Sequence, residues 1–323
     1  MTFVRALVLS LAAFALPFAS DAGAQAYPSK PIRLVVPWPP GGAVDIIGRL
    51  VADNIAGPLG QPVVIDNRPG AAGAIGSEYV AKAAPDGYTL LMGSTTVISV
   101  NPALQKLPYA PSDFAPVTMV AFVPHMLVIP AEVPANNVKE FVAWVKANPG
   151  KVSYASAGPG TPHHIAGEMF KTATGVDMLQ VPYKGTGPAL VDLMANRVQF
   201  MSVEAVAALP HIRAGKLKAL GVATPARSPL APDIPTLAEA GLPGFEVTAW
   251  YGVVAPLGIP APAADLLAKT ISKSLENATF REKLAGLGAI PVGGTPEEFG
   301  QILKVENAKW AKAIKDGNMK VDN

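Results

Sequence analysis

The sequence predicts an α/β fold of mostly parallel sheets flanked by helices, arranged as two domains. Short β-branched apolar runs alternate with amphipathic helical periods through most of the chain. That alternation implies right-handed crossovers and sheets covered on both faces. Two extended apolar segments, 117–129 and 245–254, lie about a third and three quarters of the way along, each flanked by Pro-rich loops. A chain that crosses into a second domain and later returns needs two such connections.

The elements follow in order. Arg5, an apolar run over 6–19 and the small-x-small site Ala24-Gln25-Ala26 have the layout of a secretory signal peptide, cut before Tyr27. The run is shorter than the ~20 residues that span a bilayer, and Pro17 breaks it. Without Cys there is no lipobox, disulfide or thiolate metal site. Export without disulfides suits a bacterial periplasm. Half of the residues are hydrophobic and 15% are charged, which argues for a folded chain. A net charge of +2 argues against nucleic acid or an anionic membrane as a partner.

In the mature chain, 32–36 reads as a strand and 44–56 as a helix with Ile46, Ile47, Leu50, Val51 and Ile55 on one face. Strands at 63–65 and 89–92 enclose a helix at 73–83. Helices are expected at 138–148, 164–174, 188–196 and near His211. Between and after them come strands at 152–156, 179–181, 198–203 and 217–222. The last quarter turns helical, over 261–277 and 299–315. Thr295-Pro296-Glu297-Glu298 and Thr236 with Glu239 are capping boxes. The division expected is a discontinuous first domain, 27–121 plus 246–323, with a second, 122–245, inserted into it. Two sequential domains are the alternative.

Two loops carry the chemistry. Trp38-Pro39-Pro40-Gly41-Gly42 lies between the first strand and the first helix. Proline stiffens the approach, and glycine lets a ligand come close to the backbone. The open amides and dipole of the helix start then make an anion site. Ser156-Ala157-Gly158-Pro159-Gly160-Thr161 repeats that design before a later helix, with the hydroxyls of Ser156 and Thr161 added. Facing each other across a cleft, the loops would hold two ends of one anionic ligand. Asp45 is expected to orient the first loop or cap its helix. Trp38, Tyr183, Trp250 and Tyr251 are candidate pocket walls, although aromatics at strand ends are more often core.

Other readings fail on spacing. Gly70, Gly73 and Gly76 form G-x-x-G-x-x-G rather than a dinucleotide fingerprint, and neither a P-loop nor a G-x-S-x-G elbow occurs. His164 and Glu168 share a helix face, but two ligands make no metal site. Ser156 with His164 lacks the third group of a nucleophilic triad. The expectation is a binding protein, not an enzyme, with no cofactor and no metal.

The chain also resembles the Bug family of periplasmic solute receptors, the binding components of tripartite tricarboxylate transporters. The matching stretches run in order along the mature chain. They include Tyr27-Pro28-Ser29-Lys30-Pro31-Ile32-Arg33, Pro37-Trp38-Pro39-Pro40-Gly41-Gly42, Asp66-Asn67-Arg68-Pro69-Gly70 and Pro85-Asp86-Gly87-Tyr88-Thr89-Leu90. Val181-Pro182-Tyr183-Lys184-Gly185 and Trp250-Tyr251-Gly252 extend them. The resemblance implies a type II periplasmic-binding fold, the two-lobed Venus flytrap, closing on a small mono-, di- or aromatic carboxylate. It implies ligand contacts from Pro39, Pro40, Gly41 and Gly42, and from Ser156, Gly158, Gly160 and Thr161. The implied partners are membrane subunits of such a transporter, or alternatively a sensor kinase, served by a monomer. Two departures stand out: Trp38 where the family usually has Phe, and Val203-Glu204 where it often has Asp-Asn. The second argues against an amino-acid ligand.

Overall fold

The structure, a computed structural model, describes residues 27–227 and 231–316. The expected signal peptide and its cleavage site lie outside those residues.

The first layer is built from β1 (Ile32–Val36), α1 (Ala43–Leu59), β2 (Val63–Asn67), α2 (Ala74–Ala81) and β3 (Thr89–Ser94). Its strands are parallel, in the order β2-β1-β3. β1 is buried at every position except Arg33, as a parallel strand covered on both faces must be. The i, i+4, i+8 series Ile47, Val51, Ile55 puts one face of α1 into the core. A wide π-type turn (Thr95–Val100) and the single-turn α3 (Asn101–Leu104) lead to β4 (Phe114–Pro130).

The middle of the chain contains α4 (Val138–Ala147), β5 (Ser153–Ser156), α5 (Pro162–Thr174), β6 (Leu179–Pro182), α6 (Thr186–Met194), β7 (Phe200–Glu204), α7 (Ala205–Arg213) and β8 (Leu217–Val222). It forms a second parallel layer, β6-β5-β7. The chain returns along β9 (Thr248–Pro256) and closes with α8 (Ala261–Glu276), α9 (Ala278–Gly286), β10 (Ile290–Gly293) and α10 (Pro296–Asp316).

β4 belongs to both layers. Residues 114–124 pair antiparallel with β9, which also pairs antiparallel with β3; residues 125–130 pair antiparallel with β7 and β8. The sheets are therefore mixed: each keeps the expected parallel core, and the crossing strands add antiparallel ladders. The two extended segments read from the sequence are β4 and β9, and the sheet changes partners between Pro124 and His125.

One buried cluster runs from β1 through β4 and β9 into β7 and α7. A second lies around the second layer, where the rings of Phe141, Phe170 and Phe200 meet at centroid distances of 4.7, 5.5 and 6.0 Å. Each such fully buried ring contributes about 1.5–3 kcal/mol of transfer free energy. The capping boxes are present. Thr295 and Glu298 exchange hydrogen bonds of 2.8 and 3.2 Å at the start of α10. Thr236 and Glu239 do the same at 2.8 and 3.1 Å, around a turn rather than a regular helix.

Candidate functional site

The carboxyl ends of strands from both layers converge on one nearly enclosed cavity. The β1–α1 loop brings Trp38, Gly42 and Val44, and the end of β3 brings Ser94, Thr95 and Thr96. From the second layer come Ala157, Pro162 and His163 at the start of α5, Thr186 at the start of α6 and Glu204 at the end of β7. β9 supplies Ala249 and Tyr251. This is the crevice beyond strand ends in which open α/β sheets bind ligands. Its free volume is about 20 Å³, room for about one water.

The jaws are shut because small residues let backbone meet backbone. A Cβ at Gly187 would stand 2.5 Å from the Pro40 carbonyl oxygen, and one at Gly185 would stand 2.8 Å from Pro39 Cδ. Thr186 lies across from Gly42, where an added Cβ would be 3.3 Å from its own Cβ. The Pro39-Pro40 turn thus presses on the first turn of α6.

Asp45, buried in the first turn of α1, holds the first loop. It accepts hydrogen bonds from the Gly41 amide (3.0 Å), Arg49 Nε (3.0 Å) and Asn67 Nδ2 (2.9 Å), and Asn67 also donates to the Trp38 carbonyl. Burial alone would raise the Asp45 carboxyl, but Arg49, Asn67 and the Gly41 amide together take it below its ordinary value of 3.8. Gly41 has φ +87°, a left-handed conformation that presents its amide to Asp45. Of the loop residues expected to meet ligand, Trp38 and Gly42 line the cavity; Pro39 and Pro40 face α6, and Gly41 faces Asp45.

The second loop is likewise knitted internally. Ser156 Oγ accepts from the Gly158 amide (3.3 Å) and Gln180 Nε2 (2.9 Å). Thr161 Oγ1 donates to the Gly158 carbonyl (2.7 Å), and the Gly160 amide donates to His164 Nδ1 (3.0 Å). These residues shape the turn into α5, while Ala157, Pro162 and His163 reach the cavity. The Tyr183 hydroxyl donates to Asp192 (2.8 Å), away from the cavity lining. Trp250 is core, edge-on to Phe299 at 5.6 Å; Tyr251 lines the cavity.

The groups that sequence reasoning missed form a buried polar cluster around Glu204. Glu204 Oε1 accepts from the Tyr251 hydroxyl (2.9 Å), and Oε2 meets His163 Nε2 (3.0 Å), which also contacts Thr186 Oγ1 (3.1 Å). The His125 ring stands edge-on to His163 at 5.1 Å, with Nδ1 on Ser202 Oγ (3.0 Å). Burial pushes His125 down to about 3, so it is neutral at ordinary pH. Burial would raise Glu204, but the adjoining His163 holds it well below the usual carboxylate range. The Val203-Glu204 departure therefore keeps an acid in the cleft. The signal was a lone Glu ending an otherwise apolar strand. Among the described residues no group of three His, Asp or Glu is placed to hold a metal ion.

Known proteins resemble this chain closely. The family model described as tripartite tricarboxylate transporter family receptor matches residues 47–319. Protein BugT of Bordetella pertussis is 37% identical over 98% of this chain and 97% of its own length. Among solved structures, Rpa4515 of R. palustris with adipate superposes with a TM-score of 0.86 at 36% identity, covering 90% of this chain and 97% of that one. MatC of Rhodopseudomonas palustris with bound malate gives 0.83 at 35% identity, covering 89% and 100%.

Proposed function

The chain belongs to the tripartite tricarboxylate transporter receptor family, and from that premise we propose that it is a periplasmic binding protein that captures a small carboxylate between two lobes. It is a solute receptor rather than an enzyme. One observation carries the reading: two helix N-termini, α1 from one layer and α5 from the other, converge on a single cavity. Their first-turn amides have no partner within the helix, and their dipoles favour negative charge.

In this reading the lobes are 27–121 with 246–323, and 122–245, hinged where β4 and β9 cross. Trp38 and Gly42 touch the ligand in the closed state. Pro39, Pro40, Gly41, Ser156, Gly158, Gly160, Thr161 and Tyr183 form the surrounding loops and rim and reach it directly or through water as the jaws open. A signal peptide cut after Ala26 delivers a monomer, which hands its ligand to membrane subunits of a tripartite transporter.

Adipate and malate, bound by the two relatives above, define the first compounds to try. A thermal-shift screen of residues 27–323 against mono-, di- and aromatic carboxylates tests the proposal. A raised melting temperature with at least one of them is expected. No shift with any carboxylate, and a shift with sugars or amines instead, would overturn it.

A further inference from the structure

The cavity lining holds two kinds of polar group. The first are hydrogen-bond donors with capacity to spare. Ser94 Oγ is buried with no partner, and Thr95 Oγ1 accepts from the Trp250 amide, leaving its own hydrogen free to donate. The first-turn amides of α1 at Ala43 and Val44 join them. The second is Glu204, 4% exposed. The donors nearest to it are already spent on it: the Tyr251 hydroxyl on Oε1 and His163 Nε2 on Oε2. A carboxylate accepts about four hydrogen bonds, so Glu204 retains acceptor capacity after these two. The contact of His163 Nε2 with Thr186 Oγ1 fixes the ring in this place.

A ligand carboxylate gains beside Ser94 and loses beside Glu204. There it would meet a like charge, and of the neighbouring groups the Tyr251 hydroxyl and His163 Nε2 are already engaged, while His163 Nδ1 is buried without a partner. Like charges brought together without solvent repel, and a site discriminates as much by such repulsion as by attraction. The acid is fixed in its charged form by the same contacts that bury it.

Resting on the carboxylate-receptor reading, we propose that Glu204, held by His163 and Tyr251, is the specificity-determining residue for the far end of the ligand. It selects a monocarboxylate whose other end is neutral or donates a hydrogen bond, and it rejects a second carboxylate. The chain would then differ in ligand class from its adipate-bound relative despite sharing its fold.

Three probes on one six-carbon skeleton test this by calorimetry: hexanoate, 6-hydroxyhexanoate and adipate. The purified protein is expected to bind hexanoate and 6-hydroxyhexanoate at least about tenfold more tightly than adipate. In Glu204→Gln, which keeps the size and the Tyr251 contact, the adipate penalty should shrink to within about threefold, and the advantage of the hydroxyl should fall with it. Adipate binding to the unaltered protein as tightly as hexanoate overturns the inference and makes His163 the receiver of a second carboxylate. An unchanged ratio in a folded Glu204→Gln protein also overturns it. The ratio in the unaltered protein stands as a test even where the variant fails to fold. Failure of all three probes and of the wider carboxylate panel overturns the receptor reading beneath it, which separates the two failures.

Discussion

At the scale of single residues, Asp45 takes up the Gly41 amide that was expected to meet the ligand. The left-handed Gly41 turns its N–H inward, and Asp45 accepts it together with Arg49 and Asn67. Removing the charge in Asp45→Ala should cost about 1–3 kcal/mol, because it leaves the Gly41 amide and Asn67 unpaired; urea unfolding at neutral pH measures it. The folded carboxyl is more acidic than its ordinary value of 3.8. Its contribution is therefore present above that value and is lost as pH falls through the lower folded value, since the unfolded chain takes the proton first. The gap in stability between the natural protein and Asp45→Ala should accordingly close on acidification. Gly41→Pro should disrupt the loop altogether, since proline can neither reach φ +87° nor donate to Asp45.

The Pro39-Pro40-Gly41-Gly42 motif was legible because proline and glycine have few structural meanings. Asp45 was expected to orient this loop and does so by accepting the Gly41 amide; the brace that Asn67 gives Asp45 and the Trp38 carbonyl was not legible, because it comes from another strand. The polar roles of Glu204 and His163 were equally hidden, and Tyr251 was legible only as a candidate wall. They are far apart in sequence, and only the pairing of β7 with β4 and of β9 with β3 brings them together.

At the scale of elements, closure rests on the absence of a side chain at Gly187. In Gly187→Ala the new methyl would collide with the Pro40 carbonyl oxygen, while the helix itself gains up to about 1 kcal/mol in propensity. Ligand affinity should drop by about tenfold or more with the melting temperature of the free protein unchanged or raised. A parallel loss of both would point to simple misfolding. Thr295→Ala should remove the cap of α10 at a cost of about 1 kcal/mol, without touching affinity. Long amphipathic elements were readable, α1 and α8 among them. The misses have physical reasons. α9 buries only Phe280 and Leu284, too sparse a stripe to register as periodic. β10 is a four-residue strand with Pro291 inside it and Ile290 and Val292 exposed. The π-type turn at Thr95–Val100 is buried throughout, so it offers no polar face to mark its period.

At the scale of the whole molecule, the sheets meet through strands rather than through loops, so ligand must work on the crossing of β4 and β9. A ligand that bridges both layers stabilises the closed form only by the contacts it gains there. At a ligand concentration ~100 times its dissociation constant, the folded state should gain ~2.7 kcal/mol, read as a shift in the urea midpoint. Scattering in solution should show the radius of gyration fall on saturation, and Gly187→Ala should blunt that fall. Alternation of strand and helix was enough to foresee two parallel cores. It could not reveal the antiparallel ladders of β4, β8, β9 and β10, because pairing partners are set by tertiary approach and not by local pattern.

The place of β9 has a further consequence, in time rather than in space. It sits between β3 and β4, and its Val254 lies beside Leu91. Until residue 256 has been made, the first layer lacks its middle strand, and two long hydrophobic edges stand open. Such distant pairing delays folding and leaves the early chain prone to stick to others. The first layer thus cannot be completed until 256 of the 323 residues exist. The same chain truncated before 248 would be left with open edges and a tendency to aggregate.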